Sequence, residues 1–260
     1  MIFKTLLIGL LSLAPLFAIT GQEIAQNVHD RDDGDNSTSN MKMTLVDKNG
    51  NTRVRDLSVF GKDKGKDKLK LMFFLAPADV KNTAFLTYDY DDSSKDDDQW
   101  LYLPELKKVK RIASSDKSSS FMGSDFTYSD MTSRNVQDYS YEIMKEPLVE
   151  GHKTWQMKIT PKSQKVIDET GYTQSIVFVR QDNFVMVQAL HYLKVGQKLK
   201  YMKVTGLEQI EGIWSVTQIQ MVSKEGKQTL HKTILEFSDI KYNQELDESF
   251  FSTRTLERGL

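Results

Sequence analysis

The sequence predicts a mainly β protein of the α+β kind, with roughly ten strands in one large antiparallel sheet and short helices laid across it. Three observations predict this. From residue 41 to 238, apolar and polar residues alternate in run after run, the period of a strand with a buried face. The breaks between runs are short and polar ("DRDDGDNSTSN", "GKDKGKDK", "DDSSKDDD", "SSDKSSS"), which suits hairpin ends and surface loops. No Pro/Gly-rich linker separates two cores, so residues 21–260 read as one domain.

Taken in order, the chain opens with "TLLIGLLSLAPLFA" after Lys4. One basic residue, a short apolar core and small residues read as a secretory signal peptide over 1–20, cut between Ala18 and Gly21. The apolar run is shorter than the about 20 residues a membrane span needs. There is no cysteine, so neither disulfides nor a lipid anchor on a first mature Cys is available. These features predict an exported, unanchored protein, of the periplasm of a double-membraned bacterium or secreted.

"TGQE" reads as a capping box, Thr20 with Glu23, opening a short helix over Gly21–Asp30 with Ile24 and Val28 on one face. "MKMTLV" places Met41, Met43 and Leu45 on one side of a strand. Lys48-Asn49-Gly50 joins it to "NTRVRDLSVF" as a hairpin. "KLKLMFFL" sets Leu69, Leu71, Phe73 and Leu75 on one face and Met72 and Phe74 on the other, a strand covered on both sides. "NTAFLTYDY" aligns Leu86, Tyr88 and Tyr90. In "QWLYLP", Trp100 and Tyr102 share a face and Pro104 ends the ladder. A weaker helix is expected inside "SSSFMGSDFTYSDM". "HKTWQMKIT" groups Trp155, Met157 and Ile159. "TQSIVFVR" and "NFVMVQALHYL" follow, with a tight turn at Gln181-Asp182. The meander closes with "KLKYMKVTGLEQI", "GIWSVTQIQMV" and "KQTLHKTILEFSDI".

The chemistry is read largely by exclusion. Net charge is −1 with both signs interspersed, which does not favour nucleic acid. His29, His152, His191 and His231 are scattered without metal-ligand spacing, and His191 and His231 read as surface or rim residues. The acidic runs lack the Gly and terminal Glu of a calcium loop. Gly123-Ser124-Asp125 lacks the flanking glycines of a nucleophile elbow, and no Gly-rich loop leads from strand to helix. No metal, cofactor or catalytic set is therefore expected. What stands out is apolar content: eleven Met, thirteen Phe, ten Tyr and three Trp. It suits either a well-filled core or a half-open barrel whose concave face takes acyl chains.

"KLMFFLAPADVKNTAFLTYDYDD", "DQWLYLPELKKVKRI", "SSFMGSDFTYSDM" and "EFSDIKYNQELDESFFSTRTLER" together resemble the exported family of outer-membrane lipoprotein-sorting proteins related to the LolA-type carriers. The similarity covers nearly all of the chain beyond the leader. Two departures are visible: Asn82 stands where the family usually has Gly, and Ala76 where it has an acidic residue. The resemblance implies an incomplete antiparallel β-barrel of about eleven strands, with helices covering a hydrophobic cavity. It also implies a periplasmic carrier of lipids or acylated proteins, a monomer making transient membrane contact. Its cargo would come from an inner-membrane exporter of the resistance-nodulation-division or ABC type. The rival readings are a lipid-sensing regulator with the same fold, an accessory of an exporter that does not handle lipoproteins, and a lipid-modifying enzyme, which would need a nucleophile–base pair or metal that the sequence does not display.

Within that frame the expected cavity residues are Met43, Leu71, Phe73, Leu75, Leu86, Tyr88, Trp100, Tyr102, Trp155 and Met157. Phe121, Met122 and Phe126 form the apolar face of an expected lid that bends at Gly123. Lys107, Lys108, Lys110 and Arg111 are read as a solvated strand face or as a rim for an acidic partner or anionic headgroups.

Overall fold

The computed structural model describes residues 18–260. The expected signal peptide lies almost wholly outside them. Helix α1 (Gly21–His29) starts with the predicted capping box. The Thr20 hydroxyl oxygen accepts the Glu23 N–H at 3.2 Å, and the Glu23 carboxylate accepts the Thr20 N–H at 2.7 Å.

Six strands follow: β1 (Asn36–Asp47), β2 (Thr52–Lys64), β3 (Asp67–Ala76), β4 (Ala84–Asp89), β5 (Asp98–Leu103) and β6 (Lys108–Arg111). A covering segment, 113–138, carries short 3-10 turns at Ser114–Asp116, Phe121–Gly123, Ser129–Met131 and Val136–Asp138. Then come β7 (Tyr139–Lys145), β8 (Leu148–Val149), β9 (His152–Pro161), α2 (Gln164–Thr170), β10 (Tyr172–Arg180), β11 (Met186–Leu193), β12 (Lys198–Ile210), β13 (Ile213–Glu225) and β14 (Gln228–Tyr242). Helix α3 (Thr253–Arg258) ends the chain.

One fourteen-stranded sheet results, in the order β6-β5-β4-β3-β2-β1-β14-β13-β12-β11-β10-β9-β7, with β8 beside β9. Every pairing is antiparallel. Two meanders run outward from the β1/β14 seam, where Met41 faces Phe237 and Met43 faces Leu235. The outermost strands, β6 and β7, do not pair, so the sheet stays open.

The open sheet matches the expectation, with more strands than the sequence shows. β6 is charged at three of its four positions and β8 is two residues long, so neither carries an alternating signal. The expected helix in "SSSFMGSDFTYSDM" is instead a set of tight turns, because Met122 and Gly123 both take positive φ (50° and 75°). The connection after β10 is also longer than a two-residue turn: Phe184, at φ 54°, completes it. Asn82 adopts φ 66°, the left-handed conformation its Gly-replacing position requires.

Both faces of the sheet are buried, by different parts of the chain. On the inner face, Phe121 and Phe126 of the covering segment pack on Met43, Leu57, Met72, Phe74, Phe85 and Leu101. Farther along that face, Ile24 of α1 packs on Trp155, Met157, Ile159, Val177 and Val179. Gly21 permits this approach to β7, since a Cβ there would lie 2.9 Å from Tyr141 Cβ. The outer face carries Leu69, Leu71, Phe73, Ala84 and Leu86 under Phe251 and Leu256 of the C-terminal segment. The ring centroids of Phe60 and Phe250 stand 5.0 Å apart, edge to face, and the Tyr88 hydroxyl donates to the Phe251 carbonyl at 2.6 Å.

Candidate functional site

The register of β9 to β13 builds a greasy wall. Met157 faces Val177, Val177 faces Ala189, Ala189 faces Met202 and Met202 faces Met221, one row across five strands. Side chains directly opposite on paired strands share a face. Across from this row, α1 contributes Ala25 and Val28, and the covering segment contributes Phe126 and Val136. Between them lies a cavity of about 350 Å³, within the span of about 300–1,000 Å³ usual for ligand pockets. Four methionines line it: Met157, Met186, Met202 and Met221. Their unbranched thioethers adapt to a flexible guest.

Two residues along the same strands, the wall turns polar. Ser175 faces His191, His191 faces Lys200, Lys200 faces Ser223 and Ser223 faces His231. The Ser175 hydroxyl and His191 Nδ1 share a hydrogen bond at 2.7 Å, and the Tyr172 ring stacks on the imidazole at 4.5 Å. Burial, with the nearby Arg134 and Lys200 charges, pushes His191 well below its ordinary value, so this imidazole is neutral. Burial also lowers Lys200, whose ammonium lies 5.6 Å from the Tyr172 ring centroid. The Tyr172 hydroxyl donates to Asp130 at 2.8 Å; burial, with Asp130 beside it, raises that phenol well above its ordinary value.

This polar row anchors the cover. The Asp125 carboxylate is buried and accepts from Ser223 Oγ at 2.5 Å, Thr233 Oγ1 at 2.7 Å and His231 Nδ1 at 2.7 Å. Its own N–H donates to Thr233 Oγ1 at 2.9 Å. A second tie joins the Arg55 guanidinium to the Met122 carbonyl, and a third runs from Gln99 Nε2 to the Tyr128 carbonyl at 2.8 Å. The cover is thus held by buried charge-assisted bonds as well as by Phe121 and Phe126.

A second, polar cavity of about 390 Å³ adjoins the apolar one. Residues 129 and 132–134, with Lys68, His29 and Val136, line both. Asp97, at its wall, is pushed up to about 6 by burial and then by Asp89. The arrangement is amphipathic: an apolar chamber that shares a wall with a charged one. Among the described residues, no group of three or more His, Cys, Asp or Glu is placed to hold a metal ion.

A family profile described as an uncharacterized protein matches residues 66–258. The crystal structure of a DUF1329 family protein from Desulfovibrio piger is 30% identical, with a TM-score of 0.82 over 91% of this chain and 97% of that one. The chain belongs to this DUF1329 family. A putative outer membrane lipoprotein-sorting protein domain from Vibrio parahaemolyticus is 31% identical, with a TM-score of 0.82 over 92% of this chain and 98% of that one. A LolA superfamily protein from Nitrosomonas europaea shares the fold at 19% identity, with a TM-score of 0.69 over 92% of this chain and 100% of that one. No curated protein matches the sequence. No helix among the described residues is long and apolar enough to cross a membrane.

Against this family fold, the expected site residues divide by face. Leu71, Phe73, Leu86, Tyr88, Trp100 and Tyr102 do share one face, as their alternation requires, but it is the outer face. There Phe250, Phe251 and Leu256 fill the space that a ligand would need. Leu75 sits where the β2–β3 register shifts; it is exposed and joins no cluster. Met43 lies on the inner face under the cover, away from the cavity wall. Met157 and Phe126 line the cavity, whereas Trp155 stacks on Phe184 beside it. Phe121 is buried against Phe85, and Met122 and Gly123 form the turn above Arg55. Lys107 stands in the turn before β6; Lys108, Lys110 and Arg111 project from that edge strand, and none of the four lines either cavity. Arg111 pairs with Asp98 and Lys110 approaches Asp116. Charges on an edge strand oppose pairing with another chain.

Sequence reading missed the polar row and its anchor. His191 and His231 are not ordinary surface residues: one is buried and the other bonds Asp125. The available signal was a set of polar residues at buried parity on successive strands, which needs the register to be seen.

Proposed function

We propose that this chain is a periplasmic carrier of lipid or lipidated cargo, a single half-barrel domain from about residue 21 onward. The observation that carries the proposal is the methionine-lined chamber between the inner face and a pinned cover. The relatives named for lipoprotein sorting and the LolA superfamily support the same reading. The guest's acyl chain lies along Met157, Val177, Met202 and Met221. The cover from Ser118 to Asp130 opens to admit it, bending at Gly123.

The energetics favour delivery over extraction. An acyl chain of ~16 carbons gains roughly 12 kcal/mol on burial at about 0.8 kcal/mol per CH₂, and a bilayer offers it a similar gain. Opening the cover breaks the Asp125 and Arg55 bonds, which sets a cost against spontaneous loading. An energised inner-membrane exporter of the resistance-nodulation-division or ABC type is the donor that such a device needs. The exposed Lys107–Arg111 run supplies a contact surface for that partner or for anionic headgroups.

The test is mass spectrometry of lipid extracted from protein purified out of its native envelope, without detergent. The proposal expects an acylated species near one per protein. Protein that is empty, and that fails to take up any acylated molecule offered to it, contradicts the proposal.

A further inference from the structure

The two adjoining cavities differ in character, and Arg134 sits where they meet. Its guanidinium lies over two aromatic rings, 5.5 Å from the Tyr172 centroid and 6.0 Å from that of Tyr139. The two rings attract the cation electrostatically without using its N–H donors, which stay available. Among the described residues, no carboxylate lies within ion-pair distance of Arg134 and none accepts a hydrogen bond from it. The other cations on the apolar chamber's lining are already used. Lys68 pairs with Asp33 at 2.5 Å, and Arg31 donates to the Trp214 carbonyl at 2.8 Å and the Asp32 carbonyl at 3.1 Å. Of the two carboxylates on the apolar chamber's lining, Asp33 holds Lys68, and Asp130 accepts from Tyr172 and from the Thr127 N–H at 2.8 Å. His191, on the same wall, is hydrogen-bonded to Ser175. A half-buried, unpaired guanidinium therefore stands where the apolar chamber meets the polar one.

Resting on the carrier reading above, we propose that Arg134 is a headgroup site: it binds the carboxylate or phosphate of a single-chain anionic amphiphile whose tail fills the methionine-lined chamber. A planar guanidinium matches both oxyanions by two parallel N–H···O bonds, whereas a neutral head offers it no charge. The polar cavity on the other side of Arg134 gives the rest of a larger head a hydrated place to lie.

The experiment is displacement of an uncharged apolar dye, N-phenyl-1-naphthylamine, from the mature protein by amphiphiles with one chain length and different heads. Palmitate and hexadecyl phosphate should displace it at roughly tenfold lower concentration than monopalmitoylglycerol, the size of one charge-assisted hydrogen bond. Hexadecyltrimethylammonium should be weakest. Arg134→Gln should bring the anions to the level of monopalmitoylglycerol and leave that neutral lipid unchanged; Arg134→Lys should restore part of the preference. Equal displacement by every head in the wild-type protein overturns the headgroup site while leaving the carrier intact. Competition by inorganic phosphate at millimolar concentration would show a free-anion site and overturn the amphiphile assignment. Failure of every amphiphile to displace the dye would defeat the carrier reading, and the headgroup site with it.

Discussion

Replacing Asp125 by Ala releases the cover from the sheet. The carboxylate is 2% exposed at its side chain and accepts three bonds, from Ser223, Thr233 and His231. Hydrogen bonds to a charged group contribute about 1.5–3 kcal/mol each, and a network of three is not additive. The loss also strands two hydroxyls and an imidazole that the closed cover shields. An overall cost of about 3 kcal/mol follows, in the range found on breaking buried pairs. That cost falls on the closed cover, because β13 and β14 keep their own ladder and their pairing with β12 and β1. At about 1.4 kcal/mol per decade, amides from Phe121 to Tyr128 should exchange roughly a hundredfold faster. Hydrogen-exchange mass spectrometry of the empty protein at pH 7 reads this directly. A cheaper opening should also tighten binding of an acyl ligand, since less closed packing opposes it. Unchanged protection over 121–128, or an equal loss across the β12–β14 strands, would refute the view of Asp125 as a local latch.

Three further outcomes follow from the packing. Phe73→Ala should cost about 3–5 kcal/mol in chemical denaturation, because Phe73 is buried beneath Phe250. The folded variant should bind an acyl probe as the parent does, because Phe73 lies on the outer face. Met202→Trp should act in the opposite sense: it fills the chamber, weakening the probe by tenfold or more while costing about 1–3 kcal/mol of stability. Asp97 sets a pH dependence. Its folded value near 6 lies above the unfolded value of about 3.9, so the native state holds the extra proton between these values and stability falls as pH rises through that window. Asp97→Asn should therefore stabilise the protein by about 1–2 kcal/mol at pH 7, discounted for partial exposure, and by nothing below pH 4, as measured by urea midpoints at both pH values.

The strands were largely legible because their period and punctuation are local. β12 runs from Lys198 to Ile210, the span of its alternating segment, and Pro104 follows the last residue of β5. The Thr20–Glu23 box was equally local. Alternation tells which residues share a face but not which face lies inside. Leu71, Phe73 and Leu86 look like cavity residues because both faces of β3 and β4 are apolar, and only the docked C-terminal Phe251 and Leu256 separate the two. The polar row joins Ser175, His191, Lys200, Ser223 and His231 from five strands, so it exists only once the register is set. Asp125 had no motif to announce it. Its partners lie about a hundred residues away, and its role depends wholly on where the covering segment docks.

The central claim is that an acyl chain lies between the inner face and the cover, and the chain's own methionines report on it. Methyl-labelled Met157, Met186, Met202 and Met221 line the chamber, whereas Met144 is exposed on edge strand β7. Titration with an acylated ligand, followed by methyl NMR, should shift those four resonances and give contacts from their methyls to the ligand chain, with Met144 unmoved. Ligand contacts confined to other methyls, with the four chamber methionines unchanged at saturation, would contradict the account.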